Sequence, residues 1–307
     1  MTPPPLPRPF LGAEHHAFRD QVRRFCEQEV APHHAQWEQA HFVPKTLWKL
    51  AGENGLLCCW LPEEHGGPGG DWLCDFIVAE ELCRIGATGP GFNLHSCIVA
   101  PYIARHGTPE LKHKALPRMA SGEWVGAIAM TEPGAGSDLA NIRTRAQWDR
   151  DHWVLNGQKT FITNGHNADV IVVAAKTDPD KGAQGISLLA VTADMPGFSR
   201  GRNLHKIGQH AQDTAELFFD NVRVPASHLV GEVNKGFRCM MEELPQERLQ
   251  ISINCQARAE AVFDWTLAYV KERHAFRQRV ADFQNTRFKL ASLWADLQAG
   301  RTLCDSL

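Results

Sequence analysis

The hydrophobic pattern of this chain changes period twice, and that change limits its fold more than any single motif does. From residue 11 to about 123, apolar residues recur at helical spacing, in stretches such as 18–30, 45–54, 72–85 and 93–106. Pro32, Pro44, Gly66-Gly67-Pro68-Gly69-Gly70 and Gly89-Pro90-Gly91 punctuate them, and both glycine runs read as plain loops. Between about 124 and 230 the pattern is that of strands. Residues 170–175 and 186–191 are short apolar runs, and 216–224 alternates before Pro225. Helical spacing returns at Gly236, continues through Tyr269 and resumes at Phe283. Helices, then strands, then helices is not the alternating order of a doubly wound parallel sheet. The expectation is a multi-domain α+β chain: an N-terminal helical domain (1–123), a central β-domain (124–232) and a C-terminal helical domain (233–307).

Where the first switch occurs, a strand-like lead-in (125–130) breaks into Thr131-Glu132-Pro133-Gly134-Ala135-Gly136-Ser137-Asp138. Glycines let a backbone approach a flat polar ligand without a Cβ in the way. The loop is not a dinucleotide-binding turn, because it has the first two glycines of G-x-G-x-x-G but not the third, and no βαβ unit surrounds it. By itself such a loop is most often only a turn. The stretch 149–165 reads as a hairpin about Asn156-Gly157, the preferred type I′ pair, with a second Asn-Gly at Asn164-Gly165.

Composition removes several classes of function. A net charge of −3 gives no electrostatic reason to expect nucleic acid or an anionic membrane as partner. The nine cysteines are scattered, without a C-x-x-C pair, which argues against a zinc site and a disulfide framework and for a reducing compartment. The fifteen histidines show no ligand spacing, so no metal is expected. No apolar run approaches the ~20 residues of a membrane span. The proline-rich amino terminus lacks a secretory pattern, and a cytoplasmic protein is the simplest reading.

Glu247 is the sharpest catalytic candidate. Phe237, Met240, Met241, Leu244, Ile251 and Cys255 form an apolar helical stripe, and Glu247 lies three residues after Leu244 and four before Ile251. No cation stands at i±4, and the adjacent Arg248 points elsewhere. A carboxylate in apolar surroundings has a raised pKa and suits a general base near neutral pH. On residue type alone a solvated helix glutamate is the commoner outcome, since glutamate is almost never fully buried. The neighbouring Glu242-Glu243 reads as a solvated helix face.

The glycine loop, the strand after it, Leu204-His205-Lys206-Ile207-Gly208, Ala211-Gln212-Asp213-Thr214-Ala215-Glu216-Leu217-Phe218-Phe219 and Leu244-Pro245-Gln246-Glu247-Arg248-Leu249 together resemble the acyl-CoA dehydrogenases. The last segment is similar to their long-chain branch, and the matches run in family order from about residue 10 to about 290. The resemblance implies a β-domain between two helical domains, FAD as cofactor, and Glu247 as the base. It implies flavin contacts from Ile128, Met130, Thr131, Gly136 and Ser137 on one side, and from Phe161, Ile162 and Thr163 on the other. Many relatives have tryptophan in place of Phe161, which also fits an ordinary inward-facing strand aromatic. Arg273, Phe276 and Gln284 match residues that bind the dinucleotide part of FAD held mainly by a neighbouring subunit; relatives often have glycine where this chain has Arg277. Ser137, Arg238, Pro245, Gln246, Glu247 and Arg248 match the substrate side.

The implied reaction is α,β-dehydrogenation of a medium- to long-chain acyl-CoA to the trans-2-enoyl-CoA, with electrons passed to an electron-transferring flavoprotein. Two other readings stand beside it: a truncated, impaired family member, and an oxidase or monooxygenase on the same fold. Family members continue past the position of Leu307 with helices that complete the C-terminal bundle and supply an oxyanion donor, so an incomplete bundle is expected here. A homo-oligomer, dimer or tetramer, is implied as well if the incomplete bundle allows it, and such a bundle leaves an apolar helix face exposed, which predicts association or instability.

Overall fold

The computed structural model describes residues 6–307. Its N-terminal layer holds α1 (Ala13–Phe25), α2 (Ala31–Ala40), α3 (Lys45–Glu53), α4 (Trp72–Arg84), α5 (Ala100–His106) and α6 (Pro109–Ala120). Pro32 does not interrupt the first helical stretch. A π-turn, Cys26–Val30, joins α1 to α2, and Pro32 falls in the first turn of α2, where a missing N–H is tolerated. A second π-turn, Leu94–Val99, leads into α5, whose Pro101 is likewise at its start. Asp71 caps α4 by accepting the Cys74 N–H at 3.2 Å, and Thr108 caps α6 by accepting the Leu111 N–H at 3.2 Å.

The middle of the chain forms β1 (Gly126–Ala129), β2 (Arg145–Asp149), β3 (His152–Thr163), β4 (Val170–Lys176), β5 (Ile186–Thr192), β6 (Phe198–Asn203), β7 (Thr214–Pro225) and β8 (Leu229–Val230). They make one sheet in the order β6-β7-β3-β2-β4-β5-β8, with β1 added parallel to β4. β4 is buried on both faces: Val170, Val172 and Ala174 pack toward α5 and α6, while Ile171, Val173 and Ala175 pack toward β3 and β7. The expected turn at Asn156-Gly157 is not there. β3 runs straight through that pair, and the hairpin with β2 closes instead at Arg150-Asp151, where Arg150 has φ +61°. Asn156-Gly157 is a β-bulge against β7. A Cβ on Gly157 would lie 2.5 Å from the Thr144 hydroxyl, so the glycine serves close strand approach rather than chain reversal.

The chain then returns to helix in α7 (Gly236–Glu272) and α8 (Gln284–Asp305), joined by the short hairpin of β9 (His274–Ala275) and β10 (Gln278–Arg279). α7 packs along α4 and also meets α5 and the second π-turn. The run Gly89-Pro90-Gly91 is more than the plain loop expected. The Asn164 amide donates to the carbonyls of Gly91 and Gly126, and a Cβ on Gly91 would sit 2.1 Å from Asn164 Oδ1. Glycine there lets the helical layer close onto the end of β3.

Candidate active site

The glycine loop is held from below by a buried ion pair. Glu132 accepts the backbone N–H groups of Arg143 and Thr144 at 2.6 and 3.0 Å and the Lys159 ammonium at 2.9 Å. Burial opposes ionisation of Glu132, but Lys159 and those donors outweigh it and hold the carboxyl below its usual range. Burial draws Lys159 down to about 8, against the pull of Glu132. Lys159 also donates to the Met130 carbonyl at 2.9 Å, and the Thr160 N–H reaches the Thr131 carbonyl at 2.9 Å. Met130 and Thr131 are thereby tied to β3, while Gly136 and Ser137 stand exposed at the loop tip.

On β3 the backbone turns outward before the strand ends. Phe161 has φ +58° and is 68% exposed, between buried Thr160 and Ile162. Left-handed backbone at an aromatic residue costs of order 1–3 kcal/mol and persists where the surroundings impose it. The reading of Phe161 as an inward-facing strand aromatic is therefore corrected, since the register shift between Lys159 and Ile162 turns its ring to solvent. Phe276 repeats the pattern at the tip of the β9–β10 hairpin. It has φ +50° and is 91% exposed, and Arg277 follows at φ +68°. Arg277 occupies backbone territory that favours glycine.

Glu247 stands in a different setting. It lies on α7 two residues after Pro245, whose missing N–H leaves the Met241 carbonyl without its helical donor. The carboxylate is half-buried and accepts the Tyr102 hydroxyl at 2.9 Å from α5. Burial raises its pKa; the Tyr102 hydrogen bond opposes the rise, and the Glu243 charge adds to it. Glu243 is not the solvated helix face expected of it. It is 3% exposed and paired with Arg105 at 2.5 Å and His106 at 3.0 Å. Glu242 alone is exposed and holds Arg238 at 2.7 Å. Tyr102, Arg105 and His106 escape a reading from sequence because their role depends on which helix faces α5. Their i, i+3, i+4 spacing is the one signal that places them on a common face.

The structure joins some of the candidates and separates others. A cavity of about 360 Å³ brings Thr163 at the end of β3 together with Leu94, Ile98, Gln250 and Ile251, the last two one turn beyond Glu247. Pro245, Gln246 and Arg248 line a different groove, of about 660 Å³, with Trp72 and Phe76. Gln246 is engaged structurally, donating to the Cys97 carbonyl at 3.2 Å and accepting from Arg105 at 2.8 Å. Ile128 and Ile162 pack into the sheet core. Arg273, Phe276 and Gln284 lie past the far end of α7, roughly 40 Å along the helix from Glu247, and are exposed. His15, Asp71 and Cys74 bring one potential ligand atom each within 4.8 Å; the Asp71 carboxylate is engaged in capping, accepting the Cys74 backbone N–H and pairing with His15 at 3.0 Å.

Family models match almost the whole chain: the acyl-CoA dehydrogenase N-terminal domain over residues 12–123, the middle domain over 127–222 and the C-terminal domain over 234–307. The chain belongs to the acyl-CoA dehydrogenase family. It is 51% identical over 301 residues to the mitochondrial long-chain specific acyl-CoA dehydrogenase of Sus scrofa, a match covering 97% of this chain and 70% of that one. An acyl-CoA dehydrogenase structure from Geobacillus kaustophilus superposes with a TM-score of 0.94 at 52% identity, covering 97% of this chain and 79% of that one. A glutaryl-CoA dehydrogenase from Mycobacterium smegmatis in complex with FADH2 gives a TM-score of 0.87 at 32% identity, covering 97% and 75%. The protein is therefore an oxidoreductase of acyl-CoA thioesters that uses FAD. Its loop fits that cofactor. A Cβ on Gly134 or Gly136 would meet no protein atom within 4 Å, and neither glycine has positive φ, so the close approach of a ligand explains them better than packing does. Among the described residues no helix is long and apolar enough to cross a membrane.

Proposed function

We propose that this acyl-CoA dehydrogenase oxidises medium- to long-chain acyl-CoA to the trans-2-enoyl-CoA with Glu247 as its base, passing electrons to an electron-transferring flavoprotein. The observation that carries the reading is the state of the Glu247 carboxylate: half-buried, with a raised pKa and, among the described residues, no cation against it. A carboxylate so placed keeps enough proton affinity to take the α-proton of a thioester near neutral pH. When bound, FAD accepts the β-hydrogen as hydride, so loss of the α-proton and the β-hydride together leaves the double bond.

The chain's own residues would hold the cofactor and the substrate. Met130, Thr131, Gly136 and Ser137, with Ile128 behind them, would present polar groups and bare backbone to one side of the flavin. Phe161, Ile162 and Thr163 would cover the other. Arg273, Phe276 and Gln284 are too far along α7 to serve the same flavin, which supports their reading as contacts to a cofactor held by a second copy of the chain. Val262, Trp265, Tyr269, Phe288 and Leu293 are exposed on α7 and α8 and support a homo-oligomer. The acyl chain would follow the cavity past Gln250 and Ile251, Ser137 would meet the thioester and pantetheine arm, and Arg248 would contact the substrate from the neighbouring groove. We assign Arg238, paired at the surface with Glu242, only an outer contact to the CoA. The nine free thiols support a cytoplasmic, reducing setting.

Anaerobic addition of a long-chain acyl-CoA to the FAD-loaded protein tests this reading. The flavin absorbance should bleach, and in Glu247→Gln it should not. Bleaching at an unchanged rate in the variant would remove Glu247 from the mechanism.

A further inference from the structure

The contact between α5 and α7 at Glu247 is built from two matched helical triplets. On α5, Tyr102, Arg105 and His106 stand at i, i+3 and i+4 and so share one face. On α7, Glu243, Gln246 and Glu247 have the same spacing and share another. The two faces interlock in antiparallel sense. Tyr102 donates to Glu247 at 2.9 Å; Arg105 donates to Glu243 at 2.5 Å and to Gln246 at 2.8 Å; His106 meets Glu243 at 3.0 Å. Tyr102 itself is fully buried, with its ring against the helical core. That packing fixes the position of its phenol oxygen.

We infer that Tyr102 is a positioning residue for the proton-transfer step. On this assignment, which rests on Glu247 being the base, the Tyr102 hydroxyl fixes the rotamer of that carboxylate and favours its ionised form before substrate binds. The groups around Glu247 leave this task to Tyr102. Glu243, one turn back on the same helix, is held by Arg105 and His106 of α5 and is not a partner of Glu247. Burial and Glu243 both favour the protonated acid, and among the described residues the Tyr102 hydroxyl is the one partner that favours the base form. A hydroxyl does this without neutralising the carboxylate as a lysine or arginine would. The base is kept ionised while giving up less of its affinity for the substrate proton than a cation would take from it.

The test is the pH dependence of anaerobic flavin bleaching by acyl-CoA in the FAD-loaded enzyme. Tyr102→Phe keeps the buried ring and removes only the hydroxyl. The acid limb of the bleaching rate should then move up by about one pH unit, because a hydrogen bond to the charged form has been lost. The acyl-CoA concentration for half-maximal rate should hold. A second arm needs no side chain removed. The chain has two tyrosines, and the other, Tyr269, is exposed roughly 33 Å further along α7. Growth on 3-fluorotyrosine therefore labels Tyr102 and one distant reporter. The more acidic fluorophenol is a stronger donor and should move the acid limb down, and the Tyr102 fluorine resonance should titrate with Glu247 but not in Glu247→Gln. An acid limb that stays put in Tyr102→Phe, or a fluorine resonance indifferent to Glu247→Gln, overturns the assignment even if activity falls. Undiminished bleaching in Glu247→Gln would instead sink the base assignment on which it rests.

Discussion

Glu132 and Glu247 are both carboxylates withdrawn from water, and they differ in who faces them. Glu132, under the glycine loop, accepts two backbone N–H groups and an ammonium. Glu247, between two helices, accepts one tyrosine hydroxyl. The first is held below the usual carboxylate range and the second is raised above it. The contrast teaches that burial alone does not make a base. A carboxylate ringed by donors and a cation is locked as an anion and serves as a strut. One given a single neutral donor keeps its affinity for a proton. Glu243, four residues back from Glu247 on the same helix and also buried, has a cation for its partner instead: it is paired with Arg105 and with His106.

The sharpest way to break this contrast is to neutralise each carboxylate. Glu247→Gln should slow acyl-CoA-dependent bleaching by about 10²–10⁴-fold. It should not lower the melting temperature at neutral pH. An acid whose folded pKa is raised is destabilising once ionised, so its amide should melt at the same temperature or higher. Glu132→Ala should do the opposite. It strands the buried Lys159 ammonium and should cost about 3–5 kcal/mol in urea unfolding; the double variant Glu132→Leu with Lys159→Met should recover much of that loss. A result in which Glu132→Ala unfolds like the parent would end the strut reading.

A third kind of buried group, one with only neutral partners, calibrates the other two. His95 accepts the Gly126 N–H at 2.9 Å through Nδ1 and reaches the Met119 carbonyl at 3.1 Å through Nε2, and burial lowers its pKa to about 4. The unfolded chain takes up a proton near pH 6.5 while the native imidazole stays neutral. Its contribution is therefore intact above pH 6.5 and is lost as pH falls toward 4, by up to about 3 kcal/mol. A melting series across that window should show the decline, and His95→Gln should flatten it. The smallest effect belongs to Phe161. Truncating this exposed ring in Phe161→Ala should change stability by no more than about 0.5 kcal/mol while FAD titration reads a weaker affinity.

Much of the molecule is legible along the chain. The two changes of hydrophobic period mark helices, strands and helices, because side chains repeat every 3.6 residues on one element and every 2 on the other. The glycine loop and the apolar stripe around Glu247 point to the two halves of the proposed site. The failures have particular causes. Asn156-Gly157 carries the composition of a turn, yet the pairing of β3 with both β2 and β7 makes it a bulge, and a local motif holds no record of a second neighbour. Phe161 has the residue type of an inward strand position, but a register shift turns it out. Glu242 and Glu243 are identical and adjacent, and only the position of α5 decides that one is solvated and the other buried.

What the sequence by itself determined is the set of elements, their order, and which residues carry acid, hydroxyl or bare backbone. Those follow from spacing and residue chemistry within one turn or one strand. What only the tertiary structure decided is which carboxylate became a strut and which kept its proton affinity. Glu247 lies 145 residues from Tyr102 and Glu132 lies 27 from Lys159. A pKa is set by desolvation and by the charges and donors within a few ångströms, and across such separations that company is chosen by the packing of helices and strands.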